Sequence, residues 1–115
     1  FSVFPGSESF LLRGLRAGGA GCITATGNIN PAGIRKVFDN WRTAEADTLQ
    51  AGIDAVRNTV ETYPLIGAVK RLLAHFHHAP GWEQVRPPLV PLDGKRTGRL
   101  IADLKRIGFE VAPLG

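Results

Sequence analysis

The stretch that most limits the fold of this chain is "GGAGCITATGNINP", residues 18–31, in which no side chain carries a charge. Glycines come first, β-branched and small residues follow, and an Asn-Pro pair closes it. A phosphate cradle needs its glycines at a strand-to-helix turn, in a G-x-G-x-x-G or Gly-Lys-Ser/Thr register. Here the glycines precede the β-prone residues, and neither register is present. A flexible linker is disfavoured by Cys22-Ile23-Thr24-Ala25-Thr26, which is continuous, uncharged and prone to extended structure. What remains is a tight helix-to-strand turn, a strand over Ala20–Thr26 covered on both faces, and a polar mouth at Thr26-Gly27-Asn28.

The neighbouring residues extend this pattern. Phe1-Ser2-Val3-Phe4 is short and apolar and is broken by Pro5-Gly6, as a first strand would be. Ser7 or Ser9 can cap a following helix, Glu8 lies near its positive end, and Phe10, Leu11, Leu12 and Leu15 supply its apolar face before Gly18-Gly19. A helix between two such strands is the parallel βαβ unit, whose ligands sit at the C-terminal mouth of the strands. Asn30-Pro31 then starts a helix with Ile34, Val37, Phe38 and Trp41 on one face. A further helix is expected over 43–62, striped by Ala46, Leu49, Ile53, Val56 and Val60. Pro64 ends it and opens a fourth helix with Val69, Leu72, Leu73 and Phe76 inward. The proline-rich "GWEQVRPPLVPL" is expected as an extended strap. The last helix starts near Asp93, turns Leu100, Leu104 and Ile107 inward and ends at Gly108.

Composition narrows the function classes. The 115 residues, 43% of them hydrophobic, suffice for one modest core. One cysteine, Cys22, allows no internal disulfide and no zinc-ligand set, so a reducing, cytoplasmic setting is the default expectation. No basic signal flank and no apolar run of about 20 residues points to a membrane. The net charge of +4 is spread among acids without a basic block, so no nucleic-acid partner is expected. His75, His77 and His78 are spaced one and two apart, which does not place them on one helix face; no metal site is expected. Trp41 and Trp82 read as packing anchors, and Arg86-Pro87-Pro88 as part of the strap. The chain has no methionine and begins inside an expected strand, so it reads as part of a longer polypeptide.

Taken together, "FPGSESFLLRGLRAGGAGCITATGNINP" resembles the seventh- and eighth-strand region of the dihydrodipicolinate synthase and N-acetylneuraminate lyase family. These are class I aldolases that form a Schiff base with pyruvate on a (β/α)8 barrel. "YPLIGAVKRLLAH" and "VRPPLVPL" resemble the family's C-terminal helical extension. The resemblance implies an α/β fold: residues 1–42 as the last two strand-helix units of a TIM barrel, and 43–115 as the extension.

The resemblance also implies a pocket wall binding a 2-oxo acid such as pyruvate. Gly6 matches the glycine that lets substrate approach the backbone. Ile23 matches the residue whose carbonyl faces the pyruvate-derived group while its side chain packs in the barrel. Thr24 flanks it, Ala25 stands where sialic acid lyases place a serine, and Glu8 stands in the region of their paired acidic motif. Glu8 and Thr24 are therefore counted with Gly6, Ile23 and Ala25 as substrate-binding residues. No cofactor is implied.

A barrel of this class needs about 250 residues, and the family's lysine nucleophile and proton-relaying tyrosine would lie upstream of Phe1. Tyr63, Lys36 and Lys70 do not fall at strand ends. The expectation is thus a wall without the nucleophile, inactive alone, in a homo-oligomer whose remaining barrel is supplied by the upstream part. The competing expectation is a non-catalytic module whose helices from Asn30 onward serve oligomerisation or partner binding.

Overall fold

A computed structural model describes residues 1–112. Over them the chain forms α1 (Leu11–Arg16), α2 (Pro31–Asn40), α3 (Ala46–Glu61), α4 (Leu65–Phe76) and α5 (Gly94–Arg106). Short 3-10 turns cover Glu8–Phe10, Ala25–Asn28 and Pro80–Glu83. The chain divides into two compact units, Phe1–Arg57 and the residues from Asn58 onward.

The expected strands Phe1–Phe4 and Ala20–Thr26 are not formed as regular strands among the described residues. Their backbones do run side by side in the same direction. Ala20 N–H donates to the Val3 carbonyl at 2.8 Å, and Ile23 N–H to the Pro5 carbonyl at 3.0 Å. A parallel ladder continuing from the first bond would next use the N–H of residue 5, which proline lacks. The acceptors are also two residues apart while the donors are three apart, so one residue near Gly21-Cys22 bulges out of register. Beyond Thr24 the segment turns: Gly27 N–H returns to the Thr24 carbonyl, and Ile29 and Asn30 N–H to that of Thr26.

In the first unit, Leu11, Leu12 and Leu15 of α1 meet Val37 of α2 and Ala46 and Ile53 of α3, all buried. Cys22, Ile34, Phe38, Trp41 and Leu49 pack against that cluster. Phe10 departs from expectation and is 53% exposed. It ends the 3-10 turn and precedes α1, so it does not share that helix's inward stripe. At α2, the Asn30 side chain accepts the Gly33 N–H and Pro31 occupies the first helical position, as Asn-Pro implies.

In the second unit, Ala68, Val69, Leu72, Leu73 and Ala74 of α4 are buried, as are Leu100 and Leu104 of α5. Asp93 caps α5 by accepting the Arg96 N–H at 2.8 Å. That bond and the Arg96 side chain hold the Asp93 carboxyl below the usual carboxylate range. Ile107 is largely exposed because α5 ends one residue earlier, and Trp82, on the Pro80–Glu83 turn, is also exposed and does not anchor a core. The strap opens on that turn and then runs without helix from Gln84 to Asp93, with Lys70 Nζ donating to the Gln84 carbonyl at 2.7 Å.

Three helices end in the same way. The N–H groups of Gly18 and Gly19 return to the Leu15 and Gly14 carbonyls, and those of Gly108 and Phe109 to Lys105 and Leu104, with Gly18 and Gly108 at positive φ. At α4 the equivalent bonds come from His78 and Ala79, and His78 itself adopts φ 52°. A side chain in that region is strained by about 1–2 kcal/mol. His78→Gly is therefore expected to raise the urea unfolding midpoint by an amount worth about 1 kcal/mol, and an unchanged or lower midpoint would contradict this account. Leu15→Ala, which empties a site only 4% exposed, is expected to cost about 2–5 kcal/mol in the same measurement.

Candidate functional site

The polar centre of the first unit is Glu8. Ser7 caps the turn by accepting the Ser9 N–H, and Glu8 follows with 1% of its surface exposed. A carboxylate so buried is costly unless donors surround it. Thr24 Oγ1 donates to Glu8 Oε2 at 2.5 Å, Thr26 Oγ1 donates to Glu8 Oε1, and Arg57 Nη1 of α3 reaches Oε2 at 3.1 Å. The same Arg57 nitrogen donates to Thr24 Oγ1 at 3.2 Å, which closes a triangle. Two turns earlier on α3, Gln50 accepts the Leu12 N–H at 3.1 Å and donates to the carbonyl of Glu8 at 2.9 Å. Its amide also donates to Asp54 Oδ1 at 3.0 Å. No buried side-chain nitrogen or oxygen among the described residues lacks a partner.

Of the residues expected at a pocket, Glu8 and Thr24 meet each other, and Glu8 faces inward. Ile23 stands beside them with its N–H on the Pro5 carbonyl, and no described residue donates to its own carbonyl. Its side chain is 72% exposed, against the expectation that it packs. Cys22 turns to the core and Thr24 to Glu8, so the alternation of extended backbone sends Ile23 outward. Gly6 is exposed, with nothing within 4 Å of where a Cβ would lie. Ala25 is exposed and its carbonyl accepts from Asn28 Nδ2 at 3.0 Å. Arg57 and Gln50 were not singled out from sequence. Their signal is the i, i+7 spacing on either side of Ile53, two polar residues on the apolar face of α3.

The remaining reactive groups lie elsewhere or are subdued. Lys36 is exposed on α2 and Lys70 is engaged by the strap. Tyr63 donates to Asp103 Oδ2 at 3.2 Å, and burial together with that carboxylate pushes its hydroxyl above the ordinary phenol range. Among the described residues no cluster of His, Cys, Asp and Glu could hold a metal ion, and no helix is long and apolar enough to cross a membrane.

Beside the Glu8 network opens a cavity of about 320 Å³ lined by Phe4, Leu11, Cys22, Ile34 and Phe38, among others. Burial pushes the Cys22 thiol up from its ordinary value of 9.0, and the Glu8 charge adds to this, so the thiol stays protonated and is a weak nucleophile at neutral pH. Iodoacetamide is expected to alkylate Cys22 more slowly than a free thiol at about pH 8. Because the folded state holds this proton more tightly, the associated stability is complete below the ordinary thiol range and is lost as pH rises through the raised value. Glu8→Gln removes the second cause and should speed alkylation; fast labelling of the unmodified chain would overturn the assignment.

The Dihydrodipicolinate synthetase family model matches residues 1–107. An uncharacterized DapA-like lyase of Chloroflexus aurantiacus is 33% identical over 112 residues, covering 96% of this chain and 37% of the relative. A putative mitochondrial 4-hydroxy-2-oxoglutarate aldolase of Coccidioides immitis is 40% identical over 47 residues, 41% of this chain and 15% of that protein. Among solved structures, YagE of E. coli K12, a dihydrodipicolinic acid synthase family protein in complex with pyruvate, superposes with a TM-score of 0.79 at 25% identity. That match covers 94% of this chain and 37% of YagE. A Sulfolobus 2-keto-3-deoxygluconate aldolase gives a TM-score of 0.80 at 23% identity, over 92% of this chain and 37% of its own. The chain thus spans little more than a third of the length of the relatives it matches end to end, and its fold is that of the corresponding part of their barrels. Neighbours of this fold, together with a family model spanning nearly every described residue, place the chain in the dihydrodipicolinate synthetase family.

Proposed function

We propose that this chain forms one wall of the 2-oxo-acid pocket of a Schiff-base-forming aldolase or lyase. The observation that carries this reading is the pairing of an exposed, unhindered Gly6 with an Ile23 carbonyl to which no described residue donates, both flanking a rigid buried network. Gly6 leaves room for a substrate to reach the backbone. The Ile23 carbonyl accepts a hydrogen bond from the pyruvate-derived group or from a water beside it. Ala25, with only a methyl, offers a sialic acid no hydroxyl to bind.

Class I aldol chemistry needs an amine that adds to the ketone with loss of water, and a general acid/base beside it. Neither is supplied at this wall. On this reading the lysine and tyrosine belong to the part of the relatives' length that this chain does not match, and the complete enzyme is a cytoplasmic homo-oligomer.

Trapping with pyruvate and borohydride tests the reading, because reduction of the imine fixes pyruvate to the amine that formed it. In the full-length polypeptide carrying these residues, one lysine outside them should be labelled, and the chain alone should not be. Stoichiometric labelling of Lys36 or Lys70 would overturn the placement of the nucleophile, and no labelling of the full-length polypeptide would overturn the chemistry. Gly6→Val has open space in the fold and should leave the unfolding midpoint nearly unchanged. It should nevertheless lower kcat/KM by more than about tenfold, equivalent to about 1.4 kcal/mol of transition-state stabilisation.

A further inference from the structure

The Glu8 network is more than a way to bury a carboxylate, because its bonds straddle the two groups assigned to the pocket. Gly6 lies between Pro5 and Glu8. The Ile23 carbonyl lies between the Ile23 N–H, which is bonded to the Pro5 carbonyl at 3.0 Å, and Thr24, whose hydroxyl is bonded to Glu8 at 2.5 Å. Two bonds therefore bracket the spacing of Gly6 and the Ile23 carbonyl. Behind them Thr26 holds the other Glu8 oxygen, and Arg57, 49 residues away in sequence from Glu8, holds both the carboxylate and the Thr24 hydroxyl. Both carboxylate oxygens are engaged by this chain's own donors, and the residue is 1% exposed.

We propose that Glu8, oriented by Arg57 and Thr26, is a positioning residue that sets the gap between Gly6 and the Ile23 carbonyl and does not itself touch substrate. This rests on the pocket reading above. It assigns a role to Arg57 and Thr26, and it moves Glu8 from a substrate-binding residue to one acting through Thr24 and Ile23. The gap fixes where the small 2-oxo acid lies against the backbone, so loosening it weakens substrate positioning more than it slows a bound substrate.

Thr26 gives the cleanest test because, at 1% exposure, it cannot reach a ligand. In the full-length polypeptide, Thr26→Val keeps the shape and removes the hydroxyl, while Thr26→Ser keeps the hydroxyl. The rate of borohydride trapping is measured against pyruvate concentration. Thr26→Val should raise the half-saturating pyruvate concentration about tenfold and change the saturated rate less than about threefold; Thr26→Ser should restore the unmodified value. Arg57→Lys, which retains the charge but replaces the planar guanidinium with an ammonium on a shorter, more flexible stem, should shift it in the same direction.

Amide hydrogen exchange at Ile23 should speed up in Thr26→Val and not in Thr26→Ser. A purely structural role would lower the trapped amount or the melting temperature and leave half-saturation and Ile23 exchange unmoved, which would overturn the proposal. So would a serine variant that behaves like the valine one. If the unmodified polypeptide traps no pyruvate, the pocket reading itself fails and this role falls with it; variants matching an active parent remove the positioning role alone.

Discussion

The first unit depends on a carboxylate placed where water cannot reach it. Glu8 sits in a three-residue turn too short to be stable by its own hydrogen bonds, and it is held by donors from two distant parts of the sequence. An unpaired charge at that depth would be prohibitive, and removing one partner of such a pair costs about 3–5 kcal/mol. The network thus fixes the geometry of the unit as well as filling its interior. The turn before α1, the segment leading into α2 and the third turn of α3 cannot shift independently without uncovering one of its members. Gln50 reinforces this by satisfying the Leu12 N–H, a donor at the start of α1 that has no partner within that helix.

The second unit solves its packing differently. Its interior is made of Leu72, Leu100 and Leu104 with small residues on α4, and its polar contacts lie nearer the surface, as in Arg71 with Glu83 and Thr97. Apolar packing fixes the helices through shape and tolerates volume-conserving exchange, whereas the Glu8 network tolerates only residues that keep every donor and acceptor matched. Under the proposed reading, stringency of that kind suits a pocket wall whose backbone must be held in place.

Much of the helical organisation was legible because its punctuation is local. Asn30-Pro31, Pro64, Asp93, Gly18 and Gly108 each act within one turn of backbone, and the caps formed at Asn30, Asp93, Gly18 and Gly108 follow from their chemistry alone. The strands were not, for a reason visible at Pro5: β-propensity describes side chains, while a ladder needs an N–H at each alternate residue. Phe10, Ile107 and Trp82 were misplaced because each lies one residue outside a helix or on a 3-10 turn, where helical spacing no longer decides which way a side chain points. The quoted family motifs carried the family assignment, since they are read as an ordered set and do not depend on where each element begins.

The partners of Glu8 illustrate what pattern reading leaves out. Thr24 and Thr26 look like ordinary strand residues, and Arg57 like a solvated interruption of an amphipathic helix, until they are found on the same two oxygens. Once they are, both oxygens of Glu8 have donors within the chain, and the exposed residues Gly6, Ile23 and Ala25 carry no polar side chain. Under the proposed reading, recognition here therefore falls to backbone groups and to the shape left by small side chains. Backbone groups cannot be exchanged by substitution, only displaced, so a wall of this kind is tuned through the residues behind it. That makes Thr26 and Arg57, neither of which is expected to meet the substrate, the positions at which sequence change would most directly alter how tightly the 2-oxo acid is held.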